Sequence, residues 1–580
     1  MDTDSAIFVS DLAELQKSGV IVVRGEQHNI AVFAEEDKVF AVDNRCPHMG
    51  FPLDRGSVKD GMLTCHWHQA RFDLKSGCTF DLWADDVLQF AVWVEDGKVY
   101  VSKQPPSKRT ESFYRRRLIQ GIEQNVSLVQ AKSLLSLLEV SDDLDSLLDD
   151  IVSFASINLG RFSEGMTRLA CIVNLAEHLD KRTLYQGLLY ATRQIANETS
   201  SSIPHRIKPP LTGEDYDQTR LKQWLRQWTL TRHRDGAERT MLTGCSLETE
   251  QQLVDLLFGA ASERLYAGGG HLLEDFNKVF DLNKHLEEGY QKLLPLLVEG
   301  LTQSRGEEES TNWHHPIDII SPINALNERL PTLLANNNGR GVLAATLIKT
   351  LQGDDPLAIL NEMEAALANN VAPLILAREV AYAAALRLAR FATSNEVTDW
   401  FNPQHTYIYA NAAYNAVKRS PTPDVVRAVF QGAMSVYMDR FLNVPPARLP
   451  SEKNLRKTLP NQPDLLLEQL LSELDQRSNI DDVANVTARY ISLGHDQEQL
   501  INTLAMATVR EDIDFHSLQV LDAAVNQSKA WEDSTKIENI FVGVVRNLAA
   551  HCPTRRAGQQ TARIAEKLQR GEPVFEEGAT

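Results

Sequence analysis

Two short segments of this 580-residue chain bring thiols and imidazoles close together: Cys46-Pro47-His48 and Cys65-His66-Trp67-His68. The pattern is C-x-H, sixteen residues, then C-x-x-H, with the cysteine first each time. Thiolates are soft ligands that suit iron–sulfur clusters, and imidazole suits iron as well. Two of each is the donor set of a [2Fe–2S] cluster in which imidazoles replace two thiolates on one iron. On that reading Cys46 and Cys65 hold one ferric ion, and His48 and His68 hold the other. Neutral imidazoles leave such a cluster less negative than four thiolates would. It then accepts an electron more readily, at roughly −150 to +300 mV against about −400 mV for all-cysteine plant-type clusters. A tetrahedral zinc site is the alternative for two cysteines and two histidines.

The residues around the ligands bear on that choice. Cys46-Pro47-His48-Met49-Gly50, then Pro52-Leu53-Asp54-Arg55-Gly56, then Cys65-His66-Trp67-His68-Gln69-Ala70-Arg71-Phe72-Asp73 with Gly77, closely resemble the two loops of Rieske-type ferredoxins. The resemblance covers residues 1–104. It implies a Rieske [2Fe–2S] cofactor on Cys46, His48, Cys65 and His68, two ligand loops at one tip of a small β domain, and exposed imidazole edges where electrons leave. Trp67 and Met49 are expected to shield the cluster. His66 stands where that family usually has proline, and the family spacing selects His68 as the ligand. Rieske proteins of respiratory and photosynthetic complexes carry an extra cysteine in each loop; Phe51 and Trp67 occupy those places here. The resemblance is therefore to ferredoxin-type or oxygenase-associated Rieske domains, and a reduced, cytoplasmic setting is expected.

A second set of groups could bind metal further along. His271 and Asp275 are four apart, on one face of a helix. Gly268-Gly269-Gly270 before them would allow a sharp turn or a close backbone approach. His315 follows the acidic run Glu307-Glu308-Glu309, Glu396 precedes His405, and Asp512 lies four residues before His516. Inward-facing carboxylates and histidines on helices are how bundle proteins hold non-haem iron or di-iron. The candidate ligands of a second non-haem iron or di-iron site are thus His271, His315, His405 and His516, with Asp275, Glu396 and Asp512. A one-electron carrier fused to such a region suggests that something there consumes electrons.

Those residues need two kinds of scaffold. Up to residue 104 the chain has strand chemistry: Val20–Val23, Ile30–Phe33, Val39–Val42, Ala70–Asp73, Leu88–Val94 and Lys98–Val101 are short β-branched or aromatic runs. Asp96-Gly97 is a hairpin turn. About ten antiparallel strands are expected, with a short helix over Ala6–Ser18 and His28 as a surface residue. Pro105 and Pro106 end the ladders, and residues 105–117 read as a linker. Beyond it the period becomes helical: Leu134, Leu135, Leu137, Leu138 and then Leu144, Leu147, Leu148, Ile151 recur three and four apart, with Ser141-Asp142-Asp143 as capping chemistry between them. Leu376–Phe391 is apolar on nearly all sides and reads as a central helix. The expected architecture is multidomain: a small all-β Rieske domain, then a large all-α domain over 118–580. Ser200–Gly213, Glu307–Pro322 and Val444–Pro450 read as loops.

The helical part lacks the D-x-x-H-x-x-x-x-H string of Rieske oxygenase catalytic domains. Its interspersed histidines are similar to those of questin-oxidase-like helical proteins, a similarity from which no residue is carried over. The net charge of −19 argues against a general nucleic-acid binder. No run of about 18 apolar residues occurs, so no membrane span is expected. Met1-Asp2-Thr3-Asp4 lacks the basic and apolar regions of a signal peptide. Six cysteines are too few for a disulfide framework. With no nucleotide-binding glycine pattern, reducing power is expected from a partner reductase or ferredoxin. The expected function is an oxidoreductase that uses O₂ on a small molecule. The alternatives are a non-catalytic carrier whose helical part docks a partner enzyme, and a redox sensor.

Overall fold

The computed structural model describes residues 6–25, 28–105, 109–213, 216–450, 459–477, 479–572 and 574. Met1–Asp4, and Pro106 of the proline pair, lie outside them. The chain divides into two compact units: Met1–Leu144 with Gly558–Thr580, and Asp145–Ala557.

The first unit contains nine strands among its described residues, in three antiparallel sheets of three. β1 (Ala6–Asp11) pairs with β9 (Lys98–Ser102), which pairs with β8 (Val92–Glu95). β2 (Val20–Arg24), β3 (Asn29–Glu35) and β4 (Lys38–Asp43) form a meander. β5 (Ser57–Lys59), β6 (Met62–Thr64) and β7 (Arg71–Asp73) form the third sheet. The β8–β9 hairpin closes through Asp96 and Gly97, both at positive φ (49° and 73°), the geometry that a two-residue turn of this hand demands.

The expected helix over Ala6–Ser18 is half strand. Only Leu12–Ser18 (α1) is helical, and Ala6–Asp11 pairs with β9, where Ile7 and Val9 pack beside Leu15, Val99 and Val101. Pairing across the sheet overrode local helix preference. His28 is not a free surface residue: its Nδ1 lies 2.8 Å from Asp43 Oδ2, and its ring meets Phe90 edge-on. A second core, with Phe33, Val42, Leu53, Leu63 and Phe72, encloses Cys46 and Cys65.

Two helices extend this unit past the sheets, α2 (Glu111–Glu123) and α3 (Ser127–Val140). α2 begins inside the stretch expected as a linker, capped by the Thr110 side chain. The C-terminal helix Ala557–Gln569 also contributes to this unit, with Leu568 close to Gly50.

The second unit consists of helices joined by loops, with no strand among its described residues. Three of its helices carry three of the four candidate histidines: α4 (His271–Leu282), α6 (Phe401–Arg419) and α7 (His516–Ser528). α6 packs against both α4 and α7. The intervening α5 (Pro373–Ala389) also packs on α6 and is buried along most of its length, Glu379 and Arg387 included, as its all-round apolar sequence requires. No helix among the described residues is long and apolar enough to cross a membrane.

Candidate metal centres

Two turns of the same design hold the first set of ligands. In one, Cys46 N donates to Phe51 O (2.8 Å) and Gly50 N to Cys46 O (2.7 Å). In the other, Cys65 N donates to Ala70 O (2.8 Å) and Gln69 N to Cys65 O (3.0 Å). The fourth residue past each cysteine sits at positive φ, 82° at Gly50 and 64° at Gln69. Glycine suits that position; Gln69 holds it against the ordinary preference.

Each turn aims backbone N–H groups at its cysteine: those of His48 and Met49 at Cys46, and those of Trp67 and His68 at Cys65. The two buried thiols share a hydrogen bond that holds Cys65 below the usual thiol range and pushes Cys46 well above it. One proton between two sulfurs is the state from which a bound cation would take the second thiolate. The His48 and His68 rings lie 4.8 Å apart, edge to face, and His48 also meets Trp83 at 4.6 Å. His48 Nδ1 is buried and has no hydrogen-bond partner among the described residues. A buried imidazole nitrogen with nothing to bind is costly unless a metal takes it. Burial pulls His48 down to about 4, which keeps the ring neutral and able to ligate. Two paired thiols cradled by N–H groups, with two adjacent imidazoles, one of them with an orphaned nitrogen, fit a [2Fe–2S] cluster of mixed ligation. His68 is exposed and His48 half-buried. Trp67, expected as a lid, is 38% exposed.

The second set converges only in part. His405 Nε2 lies 2.9 Å from His516 Nε2, which lies 3.4 Å from His271 Nε2. Among the described residues, these three make up a group whose ligand atoms all lie within 4.8 Å of one another. The helices explain the meeting. His271 opens α4, directly after Gly268, Gly269 and Gly270, all at positive φ (63°, 66° and 93°). A Cβ on Gly270 would stand 3.1 Å from the Tyr266 ring, so the turn that delivers His271 needs glycine there. His516 opens α7. His405 lies in the second turn of α6, after Pro403 in the first, where no intrahelical N–H bond is lost. Phe515 stacks on His516 at 4.1 Å, and Phe401 meets it edge-on at 5.3 Å, so the imidazoles have an aromatic wall.

Three of the seven candidates are at this point and four are not. His315 is exposed. Glu396 is exposed and caps the turn Val397–Trp400. Asp275 sits one turn deeper in α4, where burial and the neighbouring Glu274 push its carboxyl well above the usual range. Asp512 is exposed and accepts a hydrogen bond from Ala557 N. The four-residue spacing to His516 assumed a helix through both positions, but α7 starts only at His516.

Asp514 is the carboxylate that this spacing missed. Its Oδ1 accepts from both the backbone N–H and Nδ1 of His516, each at 2.9 Å. The Nδ1 proton so fixed leaves Nε2 as the lone pair facing the other two rings. A cap two residues before a helix start was the signal for it. Asp514→Asn is expected to weaken metal binding at this point by roughly 10- to 100-fold, as loss of an outer-shell partner does elsewhere. Metal titration of the apoprotein measures it, and unchanged affinity would remove Asp514 from the account.

Burial, and then the charge of the neighbouring imidazoles, pull His271 down to about 4 and His405 to about 2. Both are neutral ligands at pH 7. The sign for stability follows. Below about 6.5 the unfolded chain binds protons that the folded one refuses, so metal-free protein loses stability as pH falls from 6.5 towards 4. His405→Gln should flatten that slope in urea unfolding against pH; an identical slope would contradict the burial. Three imidazoles suit zinc, copper, iron or nickel. Three protein ligands would leave coordination positions open for a reacting molecule.

Residues 5–88 match the Rieske [2Fe-2S] domain family. The 3-phenylpropionate/cinnamic acid dioxygenase ferredoxin subunit of Photorhabdus laumondii subsp. laumondii is 34% identical over 100 residues, which are 17% of this chain and 94% of that subunit. The ferredoxin component of the alkene monooxygenase system of Xanthobacter autotrophicus is 28% identical over 87 residues, 15% of this chain and 71% of that component. Apoptosis-inducing factor 3 of Homo sapiens is 35% identical over 78 residues, but the match spans only 13% of either chain. Among solved structures, the ferredoxin of carbazole 1,9a-dioxygenase from Nocardioides aromaticivorans IC177 shows 23% identity, with 17% of this chain and 99% of that one covered and a TM-score of 0.17.

Proposed function

This chain belongs to the Rieske [2Fe–2S] family through its first unit, and on that premise we propose that it is an oxidoreductase with a second, non-haem metal centre. That centre, on His271, His405 and His516, uses the electrons in an O₂-dependent oxidation of a small molecule. The carrying observation is the meeting of three imidazole Nε2 atoms from three helices. Two of the relatives that match the first unit are ferredoxin components of a dioxygenase and of a monooxygenase system, and here the matching unit is part of a much longer chain.

Cys46 and Cys65 would hold the cluster as thiolates, with His48 and His68 as its imidazole ligands. When bound, the cluster supplies one-electron carriage. The turn N–H groups stabilise the two sulfurs, and exposed His68 offers an edge to a reductase or ferredoxin. In the second unit Asp514 orients His516, and Phe401 and Phe515 limit water around the imidazoles. Among the described residues no carboxylate joins the three imidazoles, so a bound divalent ion would keep its charge to polarise a reacting molecule. Phe51 and Trp67, where disulfide-bearing relatives have cysteine, favour a reducing, cytoplasmic setting.

The test is metal analysis of full-length protein purified anaerobically. Two irons and one further metal ion per chain are expected. Two irons alone would leave a carrier whose helical unit docks a partner enzyme.

A further inference from the structure

Helices α2 and α3 lie beyond the matched residues 5–88, yet one of their side chains reaches the first ligand loop and another the 82–85 segment beside it. Lys132 Nζ of α3 donates to Pro47 O at 2.7 Å, between Cys46 and His48, and forms an ion pair with Asp85. Arg117 of α2 donates through Nε to Asp85 Oδ1 at 2.8 Å, and through Nη2 to Ala84 O at 2.7 Å and Leu82 O at 3.0 Å. Trp83, inside that clamped segment, carries the ring against which His48 rests. The two helices therefore fix both the first ligand loop and the support of His48.

The trio also has a charge. Arg117 and Lys132 contribute two positive charges and Asp85 one negative, so one net positive charge stands beside the loop. The adjoining cavity of about 170 Å³ is also lined by Asp43, Arg45, Asp86, Arg109 and Glu572, which together carry one net negative charge, so what acts on the site is the contact of Lys132 with Pro47 and not the net charge of the surroundings. Lys132 is felt at ligands of both irons, at Cys46 and at His48. Reduction adds one electron to the site and breaks no bond. A fixed positive charge in a half-buried environment lowers the energy of the more negative state.

We propose that Lys132 is a positioning residue that raises the reduction potential of the Rieske site, a charge supplied from outside the Rieske domain itself. The proposal rests on the cluster being bound at Cys46, His48, Cys65 and His68.

The experiment is a redox titration of the full-length protein at pH 7, followed by EPR of the reduced cluster. Lys132→Met should lower the reduced-to-oxidised ratio at a fixed potential by about tenfold, which is 59 mV for a one-electron couple. Lys132→Arg keeps the charge and should titrate as the wild type does. Asp85→Asn removes the opposing charge and should shift the potential the other way. Opposite shifts for Lys132→Met and Asp85→Asn support the proposal, because a merely structural trio would move both the same way. An unshifted Lys132→Met, or equal shifts of one sign, overturns it. Should Lys132→Met lose its cluster, Lys132→Gln keeps a hydrogen bond to Pro47 without the charge and is judged by the same opposition. A wild-type chain with no cluster signal would defeat the Rieske ligand set instead, and is seen before any variant is made.

Discussion

Full-length His405→Ala is expected to keep both irons of the first unit and to lose the second metal. His405 has the closest imidazole contact of the three, 2.9 Å to His516, and is flanked by His271 at 4.5 Å between ring centroids. Two histidines on different helices remain, without the third point that fixes a metal. Losing an outer-shell partner costs roughly 10- to 100-fold in affinity, and loss of a direct ligand should exceed that. Equilibrium dialysis with iron(II), zinc(II) and copper(II) measures the affinity, and iron analysis of the same sample reports the cluster. The fold should survive, because the ring is already neutral and no charge is left unpaired. Wild-type affinity in His405→Ala would mean that the three imidazoles are packed together without a metal.

The second large effect runs the other way. Cys46→Ala should remove both irons of the first unit and the EPR signal of the reduced protein, while the second metal stays bound. One thiolate cannot hold the iron that Cys46 and Cys65 share, and the donor set then lacks one of its four ligands. Cys46 is 2% exposed within the Leu53, Leu63 and Phe72 core, so some loss of stability in the first unit is expected as well. Circular dichroism of the second unit's helices should be unchanged. Loss of the second metal along with the cluster would contradict two independent centres.

The ligand pattern of the first unit was legible because its chemistry is local: each ligand pair sits in one short turn, and turn residues announce themselves. The strands at Val20, Ile30 and Val39 were legible for the same reason. Ala6–Asp11 was not, since its strand state depends on β9, over 80 residues away. The histidines that meet could be named as candidates but not separated from His315, because convergence is set by packing of α4, α6 and α7 rather than by spacing. Asp512 was preferred to Asp514 on a helical period that begins only at His516. The reach of Lys132 to Pro47 spans 85 residues and left no local trace.

On the proposed function, electrons entering at the first unit are consumed at His271, His405 and His516. Single-turnover reoxidation tests it most directly: full-length protein reduced anaerobically, mixed with O₂, and followed by recovery of the oxidised cluster spectrum. Rapid recovery is expected in the metal-replete wild type, and much slower recovery in His405→Ala with an intact cluster. Equal rates in the two proteins would contradict it.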